Sequence, residues 1–315
     1  MYSVICTLFE KDYHHGLAAL TNSLYNNGFR GDIYAGYRGA LPDWTSLAQD
    51  NEFMLWPGSK TLEVNKGLKI HFLPVNTQYH LTNYKPEFMI HLWSGPAKDA
   101  DVMVYFDPDI VIKCKWTFYE KWTSYGIALV HEAISNDMPP THPIRLEWEK
   151  VIKTCNMRVT RQLYSYINGG FCGVSRQYSG FLKVWAGIMN SAIQHYGLEP
   201  AKFMPSDRTN IFYASDQDAL NIAAMCCEVP ISEVGPEGMD FIHGGWLMSH
   251  AVGSQHKPWR KKFILEALKG NSPSLAERGF WKNVKGPVMS FPTNQIKLRR
   301  LSILIAAFIG RFYRR

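Results

Sequence analysis

Two periodicities of apolar residues alternate along the first two thirds of the chain. Tyr2–Leu8 (YSVICTL) is apolar and rich in β-formers, which predicts a strand. Leu17, Leu20 and Leu24 then recur at helical spacing within His14–Asn27, with Asp12 placed to cap that helix. Gly28–Gly31 ends the helix, and Asp32–Tyr37 and Lys69–Val75 read as the next strands. Lys85-Pro86 opens a predicted helix through Phe88–Trp93, since proline is tolerated in a first turn. Val102–Phe106 (VMVYF) is a continuous apolar run, the pattern of a strand buried on both faces. Gly126–Val130 and Tyr166–Ser175 complete the strands. Helices are expected from Tyr178 to about Tyr196 and over Asp216–Cys226, the second with Leu220, Ala223 and Ala224 inward.

Strands alternating with helices predict one α/β domain whose mixed, mostly parallel sheet is flanked by helices. We place it at residues 1–290, with a separate basic, apolar helix at 291–315. The chain has 315 residues, 46% of them hydrophobic, which is enough for a large core. Its net charge is +7, and Lys297, Arg299, Arg300, Arg311, Arg314 and Arg315 supply six of those charges in a stretch without acids. The body is therefore near neutral, which argues against nucleic acid as a partner. The six cysteines form no C-x-x-C pair and no zinc spacing, so free thiols in a cytoplasmic protein are expected.

Three D-x-D patterns occur: Asp99/Asp101, Asp107/Asp109 and Asp216/Asp218. Only Asp107 and Asp109 follow directly on a buried apolar strand, and ligands of open parallel sheets bind beyond the carboxyl ends of strands. Two carboxylates at i and i+2 in an extended turn can share one divalent cation, and Pro108 stiffens the turn. The plain alternative is a polar Asp-Pro turn.

Four short blocks follow in order: strand-D-x-D, Tyr166-Ile167-Asn168-Gly169-Gly170, Asp216-Gln217-Asp218, and His250 to Gly253 leading to Lys257-Pro258-Trp259. That order resembles family 8 glycosyltransferases, which include bacterial galactosyl- and glucosyltransferases and glycogenin-like proteins. The resemblance runs from residue 2 to about residue 260 and implies the GT-A nucleotide-diphospho-sugar transferase fold. It implies a donor that is a nucleotide diphosphate sugar, UDP-linked, and an acceptor that is a glycan, glycolipid or protein. By resemblance, Asp107, Asp109 and His250 hold Mn2+, or Mg2+, with Asp107 also touching the ribose side. Lys257 reaches the pyrophosphate and Gly253 admits its close approach. Asn168, Gly169 and Gly170 border the donor sugar. Asp216 binds sugar hydroxyls, Gln217 lies near the anomeric carbon, and Asp218 completes the motif. Thr7 and Tyr13 stand at the base, and Lys85 faces sugar and phosphate. Such enzymes retain anomeric configuration.

The sequence departs from the family in two places. Its first strand carries T-L-F-E-K-D-Y in place of Ala-Asp-x-x-Tyr. Three residues, Ser254, Gln255 and His256, separate Gly253 from Lys257 where the family has two, so either the loop bulges or His256 takes the lysine's place. Each block also has a structural alternative: a glycine-requiring bulge at 168–170, a helix cap at 215–216 and an exposed lysine at 85. A nucleotidyltransferase, a metal-free glycoside hydrolase or an inactive sugar-nucleotide-binding protein would use parts of the same set. The segment from His131 to Arg161, with His142, Arg145, Trp148 and Arg158, is expected to face the acceptor. Leu301–Gly310 is too short to span a bilayer, but apolar residues bracketed by arginines suit the surface of an anionic membrane; the plain alternative is a C-terminal helix packed on the core, or an oligomer contact.

Overall fold

The computed structural model describes residues 1–133, 137–205, 207–253 and 257–313. Its strands are β1 (Ser3–Glu10), β2 (Gly31–Arg38), β3 (Gln49–Asp50), β4 (Lys60–Asn65), β5 (Leu68–Pro74), β6 (Val102–Phe106), β7 (Ile110–Ile112), β8 (Ile127–Val130), β9 (Phe171–Ser175), β10 (Ile231–Val234) and β11 (Met248–His250). The main sheet runs β10-β8-β9-β6-β1-β2-β5-β4-β3, and β7 with β11 forms a separate antiparallel pair. All strands of the main sheet share one direction except β9 and β4.

Side-chain alternation along the central strands divides the core. Val4, Cys6 and Leu8 of β1, with Met103 and Tyr105 of β6, point to one face. Ile5 and Phe9, with Val102, Val104 and Phe106, point to the other. The first face is covered by α2 (Lys85–Ser94), α4 (Pro143–Thr154), α5 (Gly180–His195) and α6 (Ser215–Cys226); the second by α1 (His14–Asn26) and α3 (Trp116–Thr123). Both faces being apolar explains why β1 and β6 read as nearly unbroken apolar runs. A third cluster, including Trp259, Phe263, Phe280, Trp281 and Ile303, lies beneath α7 (Phe263–Leu268), α8 (Leu275–Asn283) and α9 (Thr293–Ile309).

Most predicted elements are present within a few residues, and three expectations are corrected. Asp12 does not cap α1: its carboxylate accepts from Trp259 Nε1 at 2.9 Å and pairs with Arg260, joining the chain's start to its late segment. β9 begins at Phe171: residues 166–168 stay beside the end of β8 through backbone hydrogen bonds and an isolated bridge from Ile167 to His131, and Gly169-Gly170 interrupt the strand at the site described below. Arg145 and Trp148 face the core and not an acceptor. The Arg145 guanidinium donates to the carbonyls of Met138 and Ser165, Trp148 donates to the Ile211 carbonyl, and His142 caps α4. All six cysteines are unpaired.

The C-terminal helix is docked along one side. Ile296, Ile303 and Ala306 are buried, Arg299 donates to the Lys261 carbonyl and Arg300 to that of Trp281. Two of the arginines expected at a membrane surface therefore satisfy backbone carbonyls instead. Leu298, Leu301, Leu304, Ile305 and Phe308 remain exposed, and Leu265 and Leu268 of α7 are exposed as well. Arg314 and Arg315 lie outside the described residues. Among the described residues no helix is long and apolar enough to cross a membrane.

Candidate active site

The carboxyl end of β6 delivers the chain into Asp107-Pro108-Asp109. The Asp107 amide donates to the Gly170 carbonyl at 2.7 Å, and the Ile110 amide returns to the Asp107 carbonyl at 3.0 Å, so the turn is fixed at both ends. Leaving the turn, the chain forms β7, where Ile110 pairs with His250 of β11. This pairing brings together residues that are about 140 positions apart in sequence. His250 Nε2 lies 3.8 Å from Asp107 Oδ2 and 3.4 Å from Asp109 Oδ1. One candidate ligand atom from each of the three residues falls within 4.8 Å of the others.

The donor set suits a divalent cation. Two hard carboxylates and one imidazole fit manganese or magnesium-like chemistry, and the imidazole nitrogen facing them is positioned to accept the ion. Gly170 is required beside it, since a Cβ there would lie 2.4 Å from His250 Cε1. The other two D-x-D patterns are used differently. Asp101 accepts from the Tyr2 amide at the opposite end of the sheet, and Asp216/Asp218 open α6.

Lys85 is the electrostatic hub. It occupies the first turn of α2 with 1% exposure, donating to Asp216 Oδ2 at 2.7 Å and to the Gly169 carbonyl at 2.9 Å. It also pairs with Asp107 Oδ1 at 3.1 Å. Burial alone would strip the ammonium of its proton, but Asp107 and Asp216 hold it firmly charged. The exposed-lysine alternative is thereby excluded. For Asp109, burial opposes ionisation, yet Lys257 and His250 keep its carboxyl well below the usual range. Asp216 is raised, because burial outweighs Lys85.

The remaining predicted residues gather around this core. Gln217 Oε1 accepts from the Gly169 amide at 2.8 Å, and Asn168 Oδ1 accepts from the Gly170 amide at 2.8 Å. Asp218 accepts from Tyr166 Oη at 2.6 Å and from the Ala214 amide at 2.7 Å, and burial pushes its carboxyl up to about 7. Tyr13 packs edge-on to Trp259 and lies 5.5 Å from Lys257 Nζ. Thr7 is fully buried in β1, and its Oγ1 has no hydrogen-bond partner among the described residues. Gly253 has φ +94°, a conformation glycine adopts without strain. Lys257 reaches Asp109; the other candidate for that place, His256, lies outside the described residues with Ser254 and Gln255.

Two side chains that touch the candidate site escape the motif reading. Tyr105 Oη donates to Asp107 Oδ1 at 2.9 Å from within β6. Glu132, nearly buried, accepts from Asn168 Nδ2 at 2.6 Å and from the Ala133 amide at 2.8 Å. Glu132 was open to the rule that selected Asp107, since it lies just past the carboxyl end of the apolar strand β8.

Comparison with solved structures shows what this architecture is. The bifunctional glycosyltransferase WbbM, in its apo structure, superposes with a TM-score of 0.55 at 14% identity, over 95% of this chain and 52% of that one. The galactosyltransferase LgtC, in complex with donor and acceptor sugar analogs, superposes with a TM-score of 0.53 at 14% identity, over 94% of this chain and 99% of its own. The fold is GT-A. The chain spans about half the length of WbbM and nearly all of LgtC. No family profile and no curated protein matches the sequence. Within the GT-A fold, the Asp107–Asp109–His250 cluster lies beyond the carboxyl end of a central strand, as expected of a D-x-D site.

Proposed function

We propose that this protein is a metal-dependent glycosyltransferase, moving a hexose from a nucleotide diphosphate sugar, UDP-linked, onto a glycan, glycolipid or protein with retention of configuration. The observation that carries this reading is the convergence of Asp107, Asp109 and His250 at the end of β6 in a GT-A fold. A divalent cation held by these three would act as a Lewis acid toward the departing diphosphate.

The chain's own residues supply the rest. Lys257 provides a cation beside the diphosphate, and Lys85, fixed by three oxygens, presents positive charge without reorganising. Asp216 accepts sugar hydroxyls with the oxygen that Lys85 leaves open. Gln217 and Asn168, tied to the Gly169 and Gly170 amides, hold that strand in shape along the donor sugar. Tyr13 borders the base. The acceptor hydroxyl attacks from the face the diphosphate leaves, and the leaving phosphate oxygen takes its proton. Positioning of this kind contributes much of the rate in transfer from an already activated donor.

The exposed apolar face of α7 and α9 supports a second part of the reading, peripheral attachment to an anionic membrane, with Lys297 of α9 and Arg311 just past its end also exposed. The deciding experiment incubates the protein with Mn2+ and a set of UDP- and GDP-hexoses, measuring nucleotide diphosphate release and the anomer formed. Release from one donor, lost in Asp109→Asn, is expected. A product of inverted configuration would overturn retention, and release of inorganic pyrophosphate would indicate nucleotidyl transfer.

A further inference from the structure

Lys85 and Lys257 both contact carboxylates of the proposed cation site, but they are held differently. Lys85 is anchored by Asp216 and the Gly169 carbonyl as well as by Asp107, so it keeps its place whatever happens at Asp107. Lys257 is 6% exposed, and its ammonium donates to Asp109 Oδ2 and to the Ala251 carbonyl, the latter at 2.9 Å. Its remaining neighbour of note is the Tyr13 ring, 5.5 Å away. The same Asp109 offers its Oδ1 toward His250 at 3.4 Å. One carboxylate thus serves both the proposed cation and a lysine, and two cations crowded on it repel each other.

We propose that Lys257 is a built-in competitor for the cation: it neutralises Asp109 until a divalent ion takes that carboxylate, and it then turns to the diphosphate. The inference rests on the metal-site reading above and adds a regulation of that site. A cation arriving alone must either share Asp109 with a buried ammonium or draw that carboxylate away from it, and both are costly. A nucleotide diphosphate supplies the missing anion. Cation and diphosphate therefore strengthen each other's binding, and the coupling is reciprocal. The protein without donor holds its cation weakly, and the complete site forms only when both are present.

The test is titration of Mn2+ alone, followed by the paramagnetic signal of the free ion, against wild type, Lys257→Met, Lys257→Arg and Asp109→Asn. Lys257→Met is expected to bind Mn2+ about tenfold more tightly than wild type. Lys257→Arg, which keeps a cation within reach of Asp109, should stay near wild type, and Asp109→Asn should lose binding. Should Lys257→Met fail to fold, Lys257→Gln carries the same measurement, because it keeps a donor for Asp109 without the charge. Equal or weaker Mn2+ binding by the uncharged variant, with wild type binding and Asp109→Asn not, overturns the competitor while leaving the metal site intact. Absence of Mn2+ binding in every variant at millimolar concentration overturns both.

Discussion

At the carboxyl end of β6, Asp107, Asp109 and Asp216 are packed with Lys85 and Lys257 away from most solvent, and each charge meets an opposite one within the chain. On the outer side of α7 and α9, Leu265, Leu268, Leu301, Leu304 and Phe308 are exposed to solvent, Phe308 meeting the Phe312 ring edge-on. Charge is thus buried in one region, and apolar surface is exposed in the other. Both are costly in an isolated protein, since buried charge needs partners and contiguous apolar surface favours association. The first cost is met inside the chain, by lysines whose placement also suits an anionic ligand. The second is not met by the described residues. The comparison teaches that the charged end of β6 is assembled in advance, whereas the apolar outer face of α7 and α9 is left uncovered by the described residues.

The largest effect that would break this contrast is at the site itself. Asp109→Asn removes one ligand and strands Lys257, so metal-dependent nucleotide binding should fall at least about a hundredfold, read by calorimetry. Lys85→Met leaves Asp107 and Asp216 without their shared cation. Because breaking a buried pair costs about 3–5 kcal/mol, denaturant unfolding should show a loss of that size, and added Mn2+ should recover part of it. At the outer face, Leu304→Glu with Phe308→Glu should cut partitioning to anionic liposomes about tenfold or more with little change in melting temperature. Point substitutions serve better here than removal of residues 296–315, because Ile303, Arg299 and Arg300 help hold Trp281 and the segment around Trp259. Unchanged partitioning would leave the exposed face without a membrane role.

A further effect, read through pH, concerns Asp218. Its native value of about 7 lies above the ordinary 3.8, so the folded protein binds an extra proton across that interval. Stability from this group is therefore fully present below pH 3.8, falls as pH rises toward 7, and is level beyond. Asp218→Asn should lose less melting temperature than wild type between pH 5 and pH 8. An equal loss in both proteins would assign the pH dependence elsewhere.

Much of this was readable in the sequence where local pattern and function coincide. VMVYF followed by Asp-Pro-Asp announces a buried strand ending in ligands, and both the strand and the turn are present. The helical periodicity around Leu17–Leu24 likewise gave α1 to within a residue. Long-range pairing was not readable by pattern alone. That His250 meets Asp109 depends on the β7–β11 pair, whose three-residue strands carry no periodic signal. Asp12 looked like a cap because capping is local, but Arg260 and Trp259, almost 250 residues away, compete for its carboxylate and win. For Lys85 a plain exposed lysine stood as the alternative to a site residue; its burial depends on two carboxylates and a carbonyl from distant segments. Arg299 and Arg300 looked like a charged bracket, and tertiary contact turned them toward carbonyls.

The proposed function requires a nucleotide diphosphate to bind here through a divalent cation held by Asp107, Asp109 and His250. Calorimetric titration of UDP and of GDP, each with Mn2+ and with chelator, into wild type and Asp109→Ala tests it most directly. UDP is expected to bind with Mn2+, and chelator or the substitution should abolish the heat. Binding that persists with chelator and in Asp109→Ala, or no binding of either nucleotide with Mn2+, would contradict it.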